Sequence, residues 1–397
     1  MSILKGSFSW LVISNMATAS SFVVMLFSGA MLSKTDFGAV GLVMVVMNML
    51  ESVKELGVKE YLIAADSISK REEDIAWTIE FSKGLVLFLI VCCIARYYDI
   101  SEEFDNLNSY LFLLGFIFLF DSFNSPTYYK LRRLMQYKKL IVHNFLSSIA
   151  QATITVYLLF NGLTYEAIII GYFFKSLIFN SVGYLFSGRR PSFYFEMKEL
   201  GVMFSYGGWI FFSGILFYVT SRLDNLLIAK YLTISDLGVY IFMYSICSAL
   251  IANPFKSISN ALFPILTKNK NENYIHIVIK MSLILFIISI LFNILMPIAL
   301  EFWFGKKWEQ GYYVLKLLCF AMAINAVKID SYFLAFKKTK DKFVIELIRA
   351  GVFLIFLIPA IKYRGISGAA EITLLANSIS LLVWFYLMNK RFGDNGN

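Results

Sequence analysis

The sequence predicts an all-α polytopic membrane protein, with about twelve transmembrane helices in two six-helix lobes related by a pseudo-twofold along the membrane normal. Three observations carry this expectation. The 397-residue chain is 58% hydrophobic and only 16% charged, with a mean hydropathy of +0.68. Soluble domains lie nearer roughly 45–50% apolar and about 25% charged. Apolar runs of about twenty residues, the length a helix needs to cross a bilayer, recur along the whole chain. The chain also repeats itself at a spacing of about 200 residues.

Taken in order, the runs place spans at 7–32, 38–62, 76–97, 108–130, 140–161, 165–187, 203–229, 236–266, 275–302, 311–336, 343–362 and 367–389. The first exceeds the apolar core of a signal peptide and is read as a retained span. The connecting segments are short. The longest outer one, RYYDISEEFDNLN, is too small to fold as a domain. Inner segments carry about nineteen Lys and Arg against about six outside, so both termini are expected in the cytoplasm.

The repeat sets the lobes. LSKTDFGAVGLV starts at Leu32 and LTISDLGVYIFM at Leu232, so Leu32, Asp36 and Gly38 recur as Leu232, Asp236 and Gly238. Later, NGLTYEAIIIGYFF and RGISGAAEITLLAN align Gly162 and Ala167 with Gly365 and Ala370, at a separation of 203. The expected lobes are residues 1–200 and 201–397. Six spans per copy give both copies the same orientation, with a path between them near the midplane.

Several function classes find no support. There is no Walker A, GxGxxG, HExxH or GxSxG motif, so neither an ATP-driven pump nor an enzyme is expected. Cys92, Cys93, Cys247 and Cys319 sit in apolar runs without metal or disulfide spacing, and His143 and His276 stand far apart. No metal site is expected. The net charge of +9 is spread largely through short loops, which reads as a topology signal and lipid attraction, not nucleic-acid binding.

Ionisable residues inside spans are functional candidates, because a charge at mid-bilayer costs about 2.5–3.5 kcal/mol on insertion scales. On the second span Glu51, Lys54, Glu55 and Lys59 fall on one helical face. The seventh carries Arg222 and Asp224, whose spacing of two points them in different directions, and the tenth carries Lys328 and Asp330 likewise. The eighth holds Lys256 beside Pro254, which should kink it, and the eleventh holds Glu346 and Arg349 as an i,i+3 pair. Asp121 lies in the fourth span and Lys175 in the sixth. Lys54, Lys256, Lys328 and Arg349 fall in the cytoplasmic third of their helices, and Arg222 in the outer third. An anionic headgroup arriving from inside would meet the first group and be passed to the second. The competing reading is that these long side chains snorkel to the interface. Asp121, Asp224 and Asp330 are candidates for H⁺ or Na⁺ coupling or for charge pairing, with Glu51 and Glu55.

An ordered set of segments resembles the polysaccharide (O-antigen, Wzx-type) flippases of the multidrug/oligosaccharidyl-lipid/polysaccharide exporter superfamily. They are LSKTDFGAVGLV with KELGVKEYLI, SPTYYKLRRLMQYKKL, RLDNLLIAKYLTISDLGVYIFMY with NALFPIL, FGKKWEQGYYVLKLL and GISGAA. The resemblance covers nearly the whole chain. It implies a monomeric bacterial inner-membrane protein that moves an undecaprenyl-diphosphate-linked oligosaccharide to the periplasmic leaflet by alternating access. A polysaccharide polymerase and glycosyltransferases would be its neighbours. It also implies a cationic cavity lined by the first two helices of each lobe. Lys54, Arg222 and Lys256 match those helices here, whereas the first span offers no Lys or Arg beyond Lys5. Two other readings compete: an ion-coupled drug or small-solute antiporter, which would favour an acidic cavity, and a membrane glycan polymerase or ligase, which would need larger outer loops.

Overall fold

The computed structural model describes residues 20, 22–54, 69–98, 100, 103–104, 106–133, 137–186, 192–196, 216, 218, 220–253, 274–327 and 339–394. Every element among them is helical. In chain order they are α1 (Phe22–Met31), α2 (Lys34–Lys54), α3 (Lys70–Tyr97), α4 (Leu107–Arg133), α5 (Tyr137–Phe160), α6 (Tyr165–Leu185) and α7 (220–231). There follow α8 (Ile234–Cys247, continued as a π-turn over Ser248–Ala252), α9 (Tyr274–Phe304), a 3₁₀ segment (Gly305–Gly311), α10 (Tyr312–Val327) and α11 (Thr339–Asp394). Five helical stretches among the described residues are long and apolar enough to cross a bilayer, and two of these run 41 and 48 residues, about twice one crossing. The 48-residue stretch lies in α11, which breaks at Gly365 (φ 61°, ψ −142°), between the predicted eleventh and twelfth spans.

Capping moves several helix starts ahead of the apolar runs. Ser69 accepts from the Glu72 amide at 3.1 Å while Glu72 accepts from the Ser69 amide at 2.7 Å. This capping box starts α3 at Lys70, six residues before the predicted span. The two copies of the repeat use one device. Ser33 and Asp36 close a reciprocal box at 3.1 and 2.8 Å, and Thr233 and Asp236 close theirs at 3.1 and 3.3 Å. The repeated Asp is therefore the third-residue half of a capping box, and α2 and α8 begin at equivalent positions.

Residues 39–218 and residues 1–38 with 219–397 form two compact units. In the first, Ala39, Val43, Met47 and Leu50 of α2 and Leu107, Leu111, Leu114 and Phe118 of α4 belong to one buried apolar cluster, at i,i+3/i+4 spacing on each helix. Small residues let helices meet: a Cβ on Gly84 would lie 1.7 Å from the Ser122 hydroxyl, and one on Gly171 2.0 Å from that of Thr155. The extended segment 192–196 returns to α3, where the Ser192 amide donates to Asp74 at 3.1 Å and the Tyr194 amide to Thr78 at 3.0 Å. In the second unit α8, α10 and α11 pack together around fully buried Tyr240, Phe242, Phe353 and Trp384.

Candidate functional site

Arg222 and Asp224 sit two residues apart on α7, yet both address α8. Asp224 is 2% exposed and accepts a hydrogen bond from the Tyr240 hydroxyl at 2.7 Å and one from the Asn225 amide at 2.8 Å. The Arg222 guanidinium lies 5.4 Å from the ring centre of Tyr244, one turn further along α8. A spacing of two starts the side chains in different directions, yet their tips meet the same helix. A long Arg side chain can swing round the helix, and the i,i+4 tyrosines offer one polar tip at each level. Arg222 is partly buried, and among the described residues no carboxylate lies within salt-bridge distance of it.

Arg349 is 4% exposed. It pairs with Glu346 at 3.3 Å, the expected i,i+3 partner, and donates to the Thr220 carbonyl at 3.3 Å. The guanidinium thus ties α11 to the first turn of α7. Asn225, 6% exposed, has a side-chain oxygen with no hydrogen-bond partner among the described residues.

A second polar region forms in the other unit. Asp121 on α4 accepts from Asn180 at 2.7 Å and from Ser176 at 3.5 Å. Glu51 on α2 accepts from the Tyr172 hydroxyl at 3.4 Å. Tyr172, Ser176 and Asn180 fall at i, i+4 and i+8, a polar stripe on α6 that sequence reasoning passed over although the spacing is visible in YFFKSLIFN. Of the remaining candidates, Lys54 ends α2 with its side chain outside the described residues. Glu55, Lys256, Lys328 and Asp330, and with them Lys59 and Pro254, lie outside the described residues altogether. Among the described residues no cluster of His, Cys, Asp and Glu has the make-up of a metal site. Cys247 and Cys319 are buried with their sulfurs 3.1 Å apart, and the His143 ring stacks on Phe179 at 3.8 Å.

Residues 30–312 match a family described as "Polysaccharide biosynthesis protein". An uncharacterized membrane protein in the cps region of Klebsiella pneumoniae is 24% identical, over 94% of this chain and 79% of that protein. The lipopolysaccharide biosynthesis protein WzxC of Escherichia coli (strain K12) is 21% identical, over 89% of this chain and 74% of WzxC. Among solved structures, the lipid II flippase MurJ in an inward closed conformation superposes with a TM-score of 0.76 at 14% identity, over 98% of this chain and 87% of MurJ. At that identity the likeness speaks to fold: the chain is an all-helical, multi-pass membrane protein of MurJ-like architecture.

Proposed function

The chain belongs to the polysaccharide biosynthesis protein family, and from that premise we propose that it is a flippase for a lipid-linked oligosaccharide. The substrate is an undecaprenyl-diphosphate-linked repeat unit of a surface polysaccharide, carried from the cytoplasmic to the periplasmic leaflet. The observation that carries this reading is Arg222. This partly buried cation lies within electrostatic reach of Asp224 but makes no salt bridge to a carboxylate among the described residues, which leaves its guanidinium available to a visiting anion. A diphosphate accepts several charge-assisted hydrogen bonds, and a guanidinium presents them in a fork. Tyr244 beside Arg222 offers a flat, polar-tipped wall of the kind a sugar stacks on.

Lys54, Lys256 and Lys328 complete the proposed cationic path, with Arg349 holding α7 in place beside it. Residues 1–200 and 201–397 are the two lobes, and their rocking gives alternating access. The reciprocal backbone contact between the repeated turns supports this symmetry: a Cβ on Gly38 would meet the Ile234 carbonyl, and one on Gly238 the Lys34 carbonyl. The names of WzxC and of the lipid II flippase MurJ support the substrate class. Asp224, buried beside the unpartnered oxygen of Asn225, is the proposed place for a coupling H⁺ or Na⁺. Glycan polymerases and glycosyltransferases would supply and consume the cargo.

Deleting the gene tests the reading. The expected result is loss of the surface glycan with lipid-linked repeat units retained inside the cell. A deletant with normal surface glycan contradicts it.

A further inference from the structure

At one end of the second unit a short element grips residues distant in sequence through its side chains. The 3₁₀ segment Gly305–Gly311 reaches the end of α1, more than 270 residues away in sequence. The Lys307 ammonium donates to the Gly29 carbonyl at 3.2 Å and to the Leu32 carbonyl, and the Trp308 indole donates to the Gly29 carbonyl at 3.1 Å. Helix ends leave their last carbonyls without intrahelical partners and carry partial negative charge, so a cation there is favoured twice over. Trp308 is fully buried, stacked on Phe242 at 4.0 Å and edge-on to Phe37 at 5.4 Å. Gln310 completes the grip, accepting from Lys34 at 3.2 Å and donating to Asp236 at 3.3 Å.

The same segment touches both copies of the repeat. Gly29, Leu32, Lys34 and Phe37 come from the first, and Asp236 and Phe242 from the second. Residues 1–38 accordingly group with 219–397 and not with 39–218. Gly305, at φ 62°, sits in a left-handed conformation where a chain can pivot. Short 3₁₀ pieces between longer helices often mark hinges. The positive-inside count places this end outside.

We propose that Gly305–Gly311 is a latch on the outer gate: Lys307 and Trp308 hold the end of α1 against α8, and the segment must lift for cargo to leave. This rests on the transporter reading. Its test, however, has a readout that needs no cargo.

With the native cysteines replaced, Lys34→Cys and Gln310→Cys are joined in membranes by a short bis-methanethiosulfonate, whose disulfide links a reductant cleaves. The expected result is efficient cross-linking, loss of glycan export, and recovery on reduction. A cross-linked protein that exports at the rate of the reduced one overturns the latch. So does failure to cross-link when both cysteines react singly with a small maleimide. Separately, Met243→Cys, which lies under Gly311, is labelled in intact cells with a membrane-impermeant maleimide. It should be protected with Lys307 or Lys307→Arg, and should react at least about tenfold faster with Lys307→Ala, the loss of charge-assisted bonds to two carbonyls. Equal labelling in all three overturns the latch. A natural protein that exports no glycan while this labelling pattern holds would count against the flippase reading alone.

Discussion

Arg222 and Arg349 separate two roles that a basic residue inside a membrane helix can play. Arg349 has its partners already, in Glu346 and the Thr220 carbonyl. Replacing it by Ala strands a buried carboxylate, which costs about 3–5 kcal/mol. We therefore expect Arg349→Ala to lower the yield of folded protein, seen by size-exclusion in detergent, and Glu346→Gln with Arg349→Met to restore much of it. Arg222→Ala should instead leave protein levels normal and reduce export at least about tenfold, the value of one charge-assisted bond. Arg222→Lys should recover part of it in a surface-glycan assay. Candidate charges were legible in the sequence, because charge stands out in apolar runs. Their partners were not. A spacing of two on α7 could not say that both side chains find tyrosines on α8, since that depends on which helix lies opposite.

At the scale of elements, the repeated glycines make a demand of their own. A Cβ on Gly38 would come within 2.1 Å of the Ile234 carbonyl oxygen, and one on Gly238 within 1.8 Å of that of Lys34. Backbone cannot yield as a side-chain tip does. Gly238→Ala should destabilise by about 1–3 kcal/mol or more, read as a lower melting temperature in detergent, whereas Gly351→Ala, with open space around its Cβ position, should leave it near wild type. The sequence marked Gly38 and Gly238 as equivalent but gave no reason for either. The reason is that the two turns press on each other, a contact between residues 200 apart. The helices themselves were readable from apolar period and length. Their starts were misplaced where a polar cap, as at Ser69, runs ahead of the apolar face.

For the molecule as a whole, sidedness and transport each carry a prediction. Glu103→Cys, in the predicted outer loop, should label with an impermeant maleimide in intact cells, and Ser192→Cys only after permeabilisation. The reverse pattern would invert the proposed topology. Apolar length made the multi-pass helical character legible because the bilayer imposes a length rule on every span. The direction and nature of the cargo leave no such regular mark. The most direct measurement is therefore transfer itself. Purified protein is reconstituted into vesicles holding an undecaprenyl-diphosphate-linked oligosaccharide, and glycan reaching the far leaflet is counted with an impermeant lectin. Wild-type protein should move it well above empty vesicles, and Arg222→Ala should bring it down to near their level. Wild-type vesicles that match empty ones, or an Arg222→Ala protein that matches wild type, would contradict a lipid-linked glycan being carried past that guanidinium.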